Sequence, residues 1–503
     1  MSFNLATILR ESRQSDPGKT LCHIGELSFT YSQVDEMSGR VAASLRGLGL
    51  RPGDRVAVHL PNLPEFLFSY FAILKAGLIM VPLNPLLHAS EIAYHLEDSG
   101  TRLLVTFASI AEQAAKAAGP IPIYVVSPPG DDERPEGTLP FSDLYAAADT
   151  GEIETTDADD TAVLLYTSGT TGRPKGAELT HFQLYMNCTV GGELFGFRDD
   201  DIGLAVLPLF HVFGLSSVLN VAVRFGGTIA LVPRFEIGAV VDALERHRCT
   251  IFSGVPTMYF ALLQADTSGR DLTSLRVGVS GGAAIPGEII RAFEEEFPGV
   301  VILEGYGLSE TASTTTFNIS AEQRKVGSIG KPIWGVQTMI VDEEDRPLPS
   351  GPGHVGEIVV RGHNVMKGYW NRPEDTAEVF RGGWFHTGDL AHADDDGYLF
   401  IVDRKKDLII RGGYNVYPRE VEEVLYTHPA IAAAAVIGRP DPRLGEEVVA
   451  CVTLHPDAAV TEQEVVAFCR EHLAAYKYPR EIRFLDALPI GPTGKILKKE
   501  LRA

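Results

Sequence analysis

The sequence predicts an α/β fold with parallel strands, closed by a small α+β unit. Three observations carry this. Apolar runs and helical-period segments alternate at strand–helix–strand spacing between residues 34 and 82. The run Ala162-Val-Leu-Leu165 leads straight into a turn rich in Gly, Ser and Thr. The last hundred or so residues read as helix, two strands, helix. A chain of 503 residues suggests roughly three domain-sized units and buries a large core.

The elements follow in order. Val34, Met37, Val41, Leu45 and Leu48 recur at steps of 3, 4, 4 and 3, an amphipathic helix. Gly49 and Pro52-Gly53 end it, and Arg55–Leu60 is a short apolar strand. Phe66–Leu83 is nearly long and apolar enough to span a bilayer. Lys75, Gly77 and Pro82 argue instead for a buried helix to Lys75, a turn, and a strand Leu78–Pro82. Leu103–Thr106 and Ile123–Val126 continue the strand theme, and Thr180-His181 opens a helix. His211 is placed at the end of the apolar strand starting at Leu204; alone, a histidine there is more often a satisfied core residue. Segments 251–259, 277–286 and 301–311 are three further strand-to-turn units. Gly356–Gly362 and Gly397–Asp407 read as strands, the latter ending in a charged cluster. Pro418–Leu425 is a helix with Pro near its start; Ile431–Ile437 and Val448–Leu454 are strands; Val465 to Leu473 is a second helix.

Composition narrows the function. The net charge of −22 excludes a general nucleic-acid binder. Five scattered cysteines without Cys-x-x-Cys argue against a disulfide framework or zinc site and suit a cytoplasmic protein. The N-terminus carries no secretory pattern.

The chemistry centres on Tyr166-Thr-Ser-Gly-Thr-Thr-Gly-Arg-Pro-Lys-Gly176. Glycines allow close approach to a ligand, successive N–H groups make an anion-binding concavity, and Thr167, Ser168, Thr170, Thr171 and Lys175 add donors. The kinase and GTPase phosphate loop fails here, because Lys175 precedes the last glycine. A flexible linker would need neither the leading strand nor Pro-Lys-Gly.

This stretch resembles the phosphate loop of the adenylate-forming superfamily, which comprises acyl-CoA synthetases, peptide-synthetase adenylation domains and beetle luciferases. Gly305-Tyr-Gly-Leu-Ser-Glu-Thr311, Thr387-Gly-Asp389 and Gly494-Lys495 are similar to further family motifs and stand in family order. The resemblance implies a large N-terminal domain of stacked α/β sheets with a small barrel-like part (1–403) and a small mobile C-terminal domain (404–503). The hinge would lie at 403–406 with Lys406 as pivot.

It also implies ATP, Mg²⁺ and CoA as substrates and cofactor. Thr167, Ser168, Gly169, Thr170, Thr171, Gly172 and Lys175 would hold phosphates, Glu310 magnesium, Thr311 the α-phosphate and Tyr306 the adenine. Gly282, Ala283 and Gly307 would lie beside the nucleotide, with Asp389 and Arg404 at the ribose. Lys495 would join carboxylate and α-phosphate, and Gly412 and Gly413 would arrive for thioester formation. His211 would border the carboxylate, and Phe213, Gly214, Val255, Gly281, Ala284 and Gly305 would line the acyl pocket. A homodimer, and acetylation of Lys495 by a protein lysine acetyltransferase, are compatible with the resemblance.

No Asp stands in 204–218 to bind an α-amine, and no Lys or Arg stands in 304–318 to pair a second carboxylate. A monocarboxylate with an apolar tail is therefore expected, first a medium- or long-chain fatty acid and second an aryl acid such as a cinnamate. CoA is the expected acceptor; a carrier protein, a luciferase-like oxygenase fate and a catalytically silent nucleotide-binding relative are the alternatives.

Overall fold

The computed structural model describes residues 2–128, 130, 133–167, 173–405, 407–456, 458–491 and 494–502. A seven-stranded sheet runs Leu139–Pro140, Ile123–Val126, Thr101–Phe107, Arg55–His59, Ile79–Pro82, Thr161–Thr167, Lys175–Thr180. All its neighbours are parallel except the last pair, which is a hairpin around the phosphate loop. A nine-stranded sheet has six parallel strands at its centre, in the order Val301–Tyr306, Val277–Ser280, Ile251–Gly254, Ile202–Ala205, Thr228–Leu231, Thr20–Ile24. Parallel sheets need helices on their faces, and the buried runs of these strands meet that demand.

The segment Phe66–Leu83 is a helix, Pro64–Lys75, followed by the strand Ile79–Pro82. Lys75 is buried in the core, where its Nζ lies 2.6 Å from Asp35 Oδ1; burial lowers its pKa and Asp35 opposes that. Among the described residues no helix is long and apolar enough to cross a membrane. The first amphipathic helix is Tyr31–Gly47, started by a capping box of Thr30 and Gln33. Thr180 and Gln183 start His181–Leu194 in the same way.

The expected barrel-like part is an antiparallel five-stranded sheet of Val336–Val341, Gly356–Gly362, Phe380–Arg381, Trp384–Ala393 and Leu399–Arg404. The next sheet begins at Ile409 and has its own core around Val421, Val436 and Val448. It pairs Ile431–Asp441 with Gly445–Leu454, both longer than expected, under helices Pro418–Tyr426 and Glu462–His472.

One local expectation is corrected. The strand before His211 ends at Ala205, and His211 sits in a turn before a π-helix, Phe213–Asn220. Single-turn π segments are frequent at functional sites because they re-aim side chains.

Candidate active site

The parallel strands of the nine-stranded sheet stop level with one another: Gly254 is registered on Ser280, and Ser280 on Glu304. Ligands of open α/β sheets bind beyond such carboxyl ends. A cleft of about 2330 Å³ opens there, walled by the phosphate-loop hairpin, the antiparallel sheet and the small domain.

Ser168, Gly169, Thr170, Thr171 and Gly172, expected to grip phosphates, lie outside the described residues, as does Lys406. The base of the loop is braced. Tyr94 donates to the carbonyl of Pro174 (2.7 Å) and Tyr166 to Asp98 Oδ2 (2.8 Å). Lys175 lines the cleft, paired with Asp375 and 5.5 Å from the Tyr369 ring centre. Glu310 Oε1 accepts from Thr167 Oγ1 (3.1 Å) and from the Tyr369 hydroxyl (3.0 Å). Two other segments thus hold this carboxylate beside Thr167, and a hard oxygen donor there fits magnesium.

Thr311 does not reach the cleft. Its side chain is fully buried, and its hydroxyl accepts from the N–H of Leu308 (2.9 Å) and from Thr315 Oγ1 (2.8 Å). Ser309, two residues earlier, lines the cleft instead. The reversal comes from the short 3₁₀ turn Ser309–Thr311, closed by Ala312 at φ +54°.

Asp389 is almost fully buried; its Oδ2 accepts from the Tyr306 hydroxyl (2.6 Å), and its Oδ1 forms an ion pair with Arg404 Nε (3.0 Å). The carboxylate raises the pKa of Arg404, and burial with the same carboxylate keeps Tyr306 neutral. Glu304 is 4 % exposed, and among the described residues its oxygens make no hydrogen bond of good geometry, the Ile285 N–H being a weak partner at most. Burial pushes its pKa up to about 7, with Arg419 and the Ile285 N–H pulling the other way. A buried carboxyl with so little hydrogen bonding costs stability and favours its neutral form.

Lys495 lies over Gly282: a Cβ built on that glycine, at φ +80°, would stand 3.1 Å from Lys495 Cε. Thr257 Oγ1 donates to the Gly494 carbonyl (3.0 Å), docking this loop of the small domain on the large one. His211 lines the cleft nearby; its Nδ1 accepts from the N–H of Phe213 (3.3 Å). Burial, helped by the Lys495 charge, lowers its pKa to about 3, so the imidazole is neutral.

Phe213, Gly281, Gly282, Ala283, Ala284, Gly305, Tyr306 and Gly307 all line the cleft. A Cβ on Gly281 would stand 3.1 Å from the Phe213 ring, and one on Gly305 would stand 2.6 Å from Phe317. Each glycine therefore lets an aromatic ring pack directly against the backbone of the cleft wall. On the same wall Ser217 and Ser313 share a hydrogen bond of 2.7 Å, with Ser313 at φ +108°. Backbone strain of this kind persists where surrounding structure enforces it.

Other expected residues are not brought together here. Gly214 packs on the Pro208 carbonyl, and Val255 is buried beneath Gly494; neither lines the cleft. Gly412 and Gly413 form the turn of the hairpin Ile409–Val416, where the Gly412 N–H donates to the Leu444 carbonyl (2.7 Å), and they too are absent from the cleft wall. In this orientation Lys495 is in and the glycine hairpin is out. Sequence reasoning missed Ser309, Glu304, Tyr369 and the Ser217–Ser313 pair. A hydroxyl one residue before Glu310 was the available signal for Ser309; the others depend on contacts across at least 59 residues of chain or on burial.

The chain belongs to the AMP-binding enzyme family: residues 9–370 match the family's main domain and residues 420–495 its C-terminal domain. It is an AMP-forming acid–thiol ligase. It is 41 % identical over 497 residues to a feruloyl-CoA synthase of Amycolatopsis sp, covering 98 % of this chain and 97 % of the relative. It is 38 % identical over 526 residues to a long-chain-fatty-acid–CoA ligase of Bacillus subtilis, covering 99 % and 94 %. The crystal structure of an anthranilate CoA ligase in complex with anthranoyl-AMP superposes with a TM-score of 0.92 at 32 % identity, covering 100 % and 97 %.

Proposed function

We propose that this ligase activates a phenolic aryl acid of the hydroxycinnamate type as its acyl-AMP and transfers the acyl group to CoA. The carrying observation is that the cleft wall combines the aromatic rings of Phe213 and Phe317 with the Ser217–Ser313 hydroxyl pair. An aryl group would stack on such rings, and a phenolic hydroxyl would find polar partners that an alkyl chain would leave unused. The likeness to a feruloyl-CoA synthase supports this reading. A medium- or long-chain fatty acid is the second reading, favoured by the apolar lining and by the Bacillus relative.

In the first half-reaction a carboxylate oxygen attacks the α-phosphorus of ATP and pyrophosphate leaves. This is chiefly positioning and charge neutralisation. Lys495 would bridge carboxylate and α-phosphate, Ser309 would donate to that phosphate, and Lys175 would leave Asp375 for the outgoing pyrophosphate. Glu310 would hold a magnesium ion, which supplies charge neutralisation on the phosphates when bound. Neutral His211 would face the substrate carboxylate without adding charge. Asp389 and Arg404 would hold the ribose, and Tyr306 would stack on the adenine.

In the second half-reaction the CoA thiolate attacks the acyl carbonyl and AMP leaves. Lys495 must withdraw and the Gly412-Gly413 hairpin must arrive, a rotation about the 403–406 segment.

The test is pyrophosphate release with ATP and magnesium over a panel of acids: acetate, decanoate, palmitate, cinnamate, 4-coumarate, ferulate and malonate, with and without CoA. CoA-dependent turnover highest with 4-coumarate or ferulate is expected. Highest turnover with decanoate or palmitate would replace the reading with the fatty-acid one. Pyrophosphate exchange without CoA-dependent turnover would point to a carrier protein, and ATP binding without exchange to a silent relative.

A further inference from the structure

The segment that presents Asp389 is irregular. Strand Gly356–Gly362 pairs Glu357 with Leu390 but Val359 with His386, so Thr387, Gly388 and Asp389 bulge out of the ladder. Gly388, at φ +73°, is the apex. Bulges beside active sites re-aim side chains, but they leave ladder groups unpaired. Here the vacant positions are filled by name. The Gly388 N–H donates to Glu357 Oε1 (2.9 Å) and the Thr387 hydroxyl donates to the Ile358 carbonyl (2.8 Å). The Gly388 carbonyl accepts from the N–H of Lys405 (2.9 Å), which follows Arg404 into the expected hinge.

The second oxygen of Glu357 faces a ring of basic groups: His386 Nδ1 at 3.3 Å, Lys405 Nζ at 3.7 Å and Arg381 at 3.9 Å. Glu357 lines the cleft and is 8 % exposed, while Lys405 and Arg381 stay about half in water, so the carboxylate is fixed and its cationic partners are the mobile side of the pair.

We infer that Glu357 is a positioning residue with two tasks: through Gly388 it aims Asp389 into the cleft, and through Lys405 it holds the hinge in the orientation that brings Lys495 in. One oxygen serves the bulge and the other serves the hinge, so the two tasks are separable by chemistry. Glutamine keeps an acceptor for the Gly388 N–H but loses the charge that holds Lys405. Alanine loses both. The inference rests on the reading of the cleft as the ATP site.

The experiment compares wild type, Glu357→Gln and Glu357→Ala by ATP calorimetry, and by the rate of tryptic cleavage after Arg404, Lys405 and Lys406 with ATP present. Glu357→Ala should weaken ATP binding about tenfold or more, and Glu357→Gln by less than about threefold. Both should be cleaved faster at the hinge than wild type. Melting curves identify a variant that has lost its fold, in which case Glu357→Gln alone decides the hinge arm. ATP affinity unchanged in folded Glu357→Ala, or hinge cleavage of Glu357→Gln at the wild-type rate, overturns the inference. If wild type itself binds no ATP, the nucleotide reading of the cleft falls instead.

Discussion

The Thr257 hydroxyl donates to the Gly494 carbonyl at 3.0 Å, across 237 residues of chain and across the domain boundary. That bond sets the residue before Lys495 on the large domain, and Lys495 over Gly282. Adenylation and acyl transfer should therefore respond differently to changes here.

Lys495→Ala should lower pyrophosphate exchange by about a hundredfold or more, since it removes a charge placed where charge develops. Conversion of synthetic acyl-AMP and CoA to product should be far less affected. Lys495→Gln, which imitates acetylation, should behave the same way. Normal adenylation by either variant would remove Lys495 from its assigned place.

Gly282→Ala should reproduce part of that loss without touching the lysine. The new methyl group would crowd Lys495 Cε and strain a backbone at φ +80°. About a tenfold fall in exchange is expected, with acyl transfer from preformed acyl-AMP retained. Equal effects on both half-reactions would mean that the cleft floor, not the lysine, was disturbed.

Ser217→Ala should discriminate between acids. Removing its hydroxyl should lower kcat/KM for 4-coumarate or ferulate about tenfold and leave cinnamate nearly unchanged. Equal loss for both acids would separate the serine pair from the phenolic end of the substrate.

Glu310→Gln should raise the magnesium concentration needed for half-maximal exchange by about tenfold, because a neutral amide is a weaker ligand for a hard cation. An unshifted magnesium titration would place the ion elsewhere.

Acid should destabilise the protein through its buried histidines, of which His59 and His181, unlike His211, lie off the cleft wall. His59 and His181 are fully or almost fully buried, and burial lowers each pKa from 6.5 to about 4. The unfolded chain then binds more protons between pH 6.5 and 4, so stability falls as pH falls through that window and is complete above it. The loss approaches about 3 kcal/mol for each histidine at the acid end. Urea denaturation from pH 7.5 to 4.5 measures it, and His181→Gln should flatten the slope. A slope indifferent to that change would assign the acid loss to other groups.

Much of the site was legible because its groups sit in short, contiguous turns at strand ends. Glu310, Asp389 and Arg404, which meet at the cleft, were marked by short contiguous motifs that resemble the family's, although alone Asp389 reads as a turn residue and Arg404 as part of a solvated cluster. What was missed needed three dimensions. Ser309 and Thr311 both carry hydroxyls, and a three-residue turn decides which faces the cleft. Phe213 lines the cleft and Gly214 does not, because the π-helix that starts at Phe213 turns the two residues to different sides. Glu304 reads as part of a strand until burial leaves its oxygens with little hydrogen bonding. Gly412 and Gly413 depend on how two domains are turned, which no local pattern encodes. The helix–strand order of the small domain was readable throughout, though its strands run past the predicted ends into a tight connection at 442–444.

A protein with a formal charge of −22 repels ATP and CoA from afar, while Lys175, Arg404, Lys405, Lys495 and Lys498 stand interspersed with carboxylates along the cleft. At an ionic strength of about 0.1 M the distant repulsion fades beyond roughly 10 Å, whereas cations inside the cleft act at contact. Encounter with nucleotide therefore speeds up when moderate salt is added to dilute buffer. That inverts the response of enzymes that steer anions with a positive surface, and leaves capture to the last few ångströms.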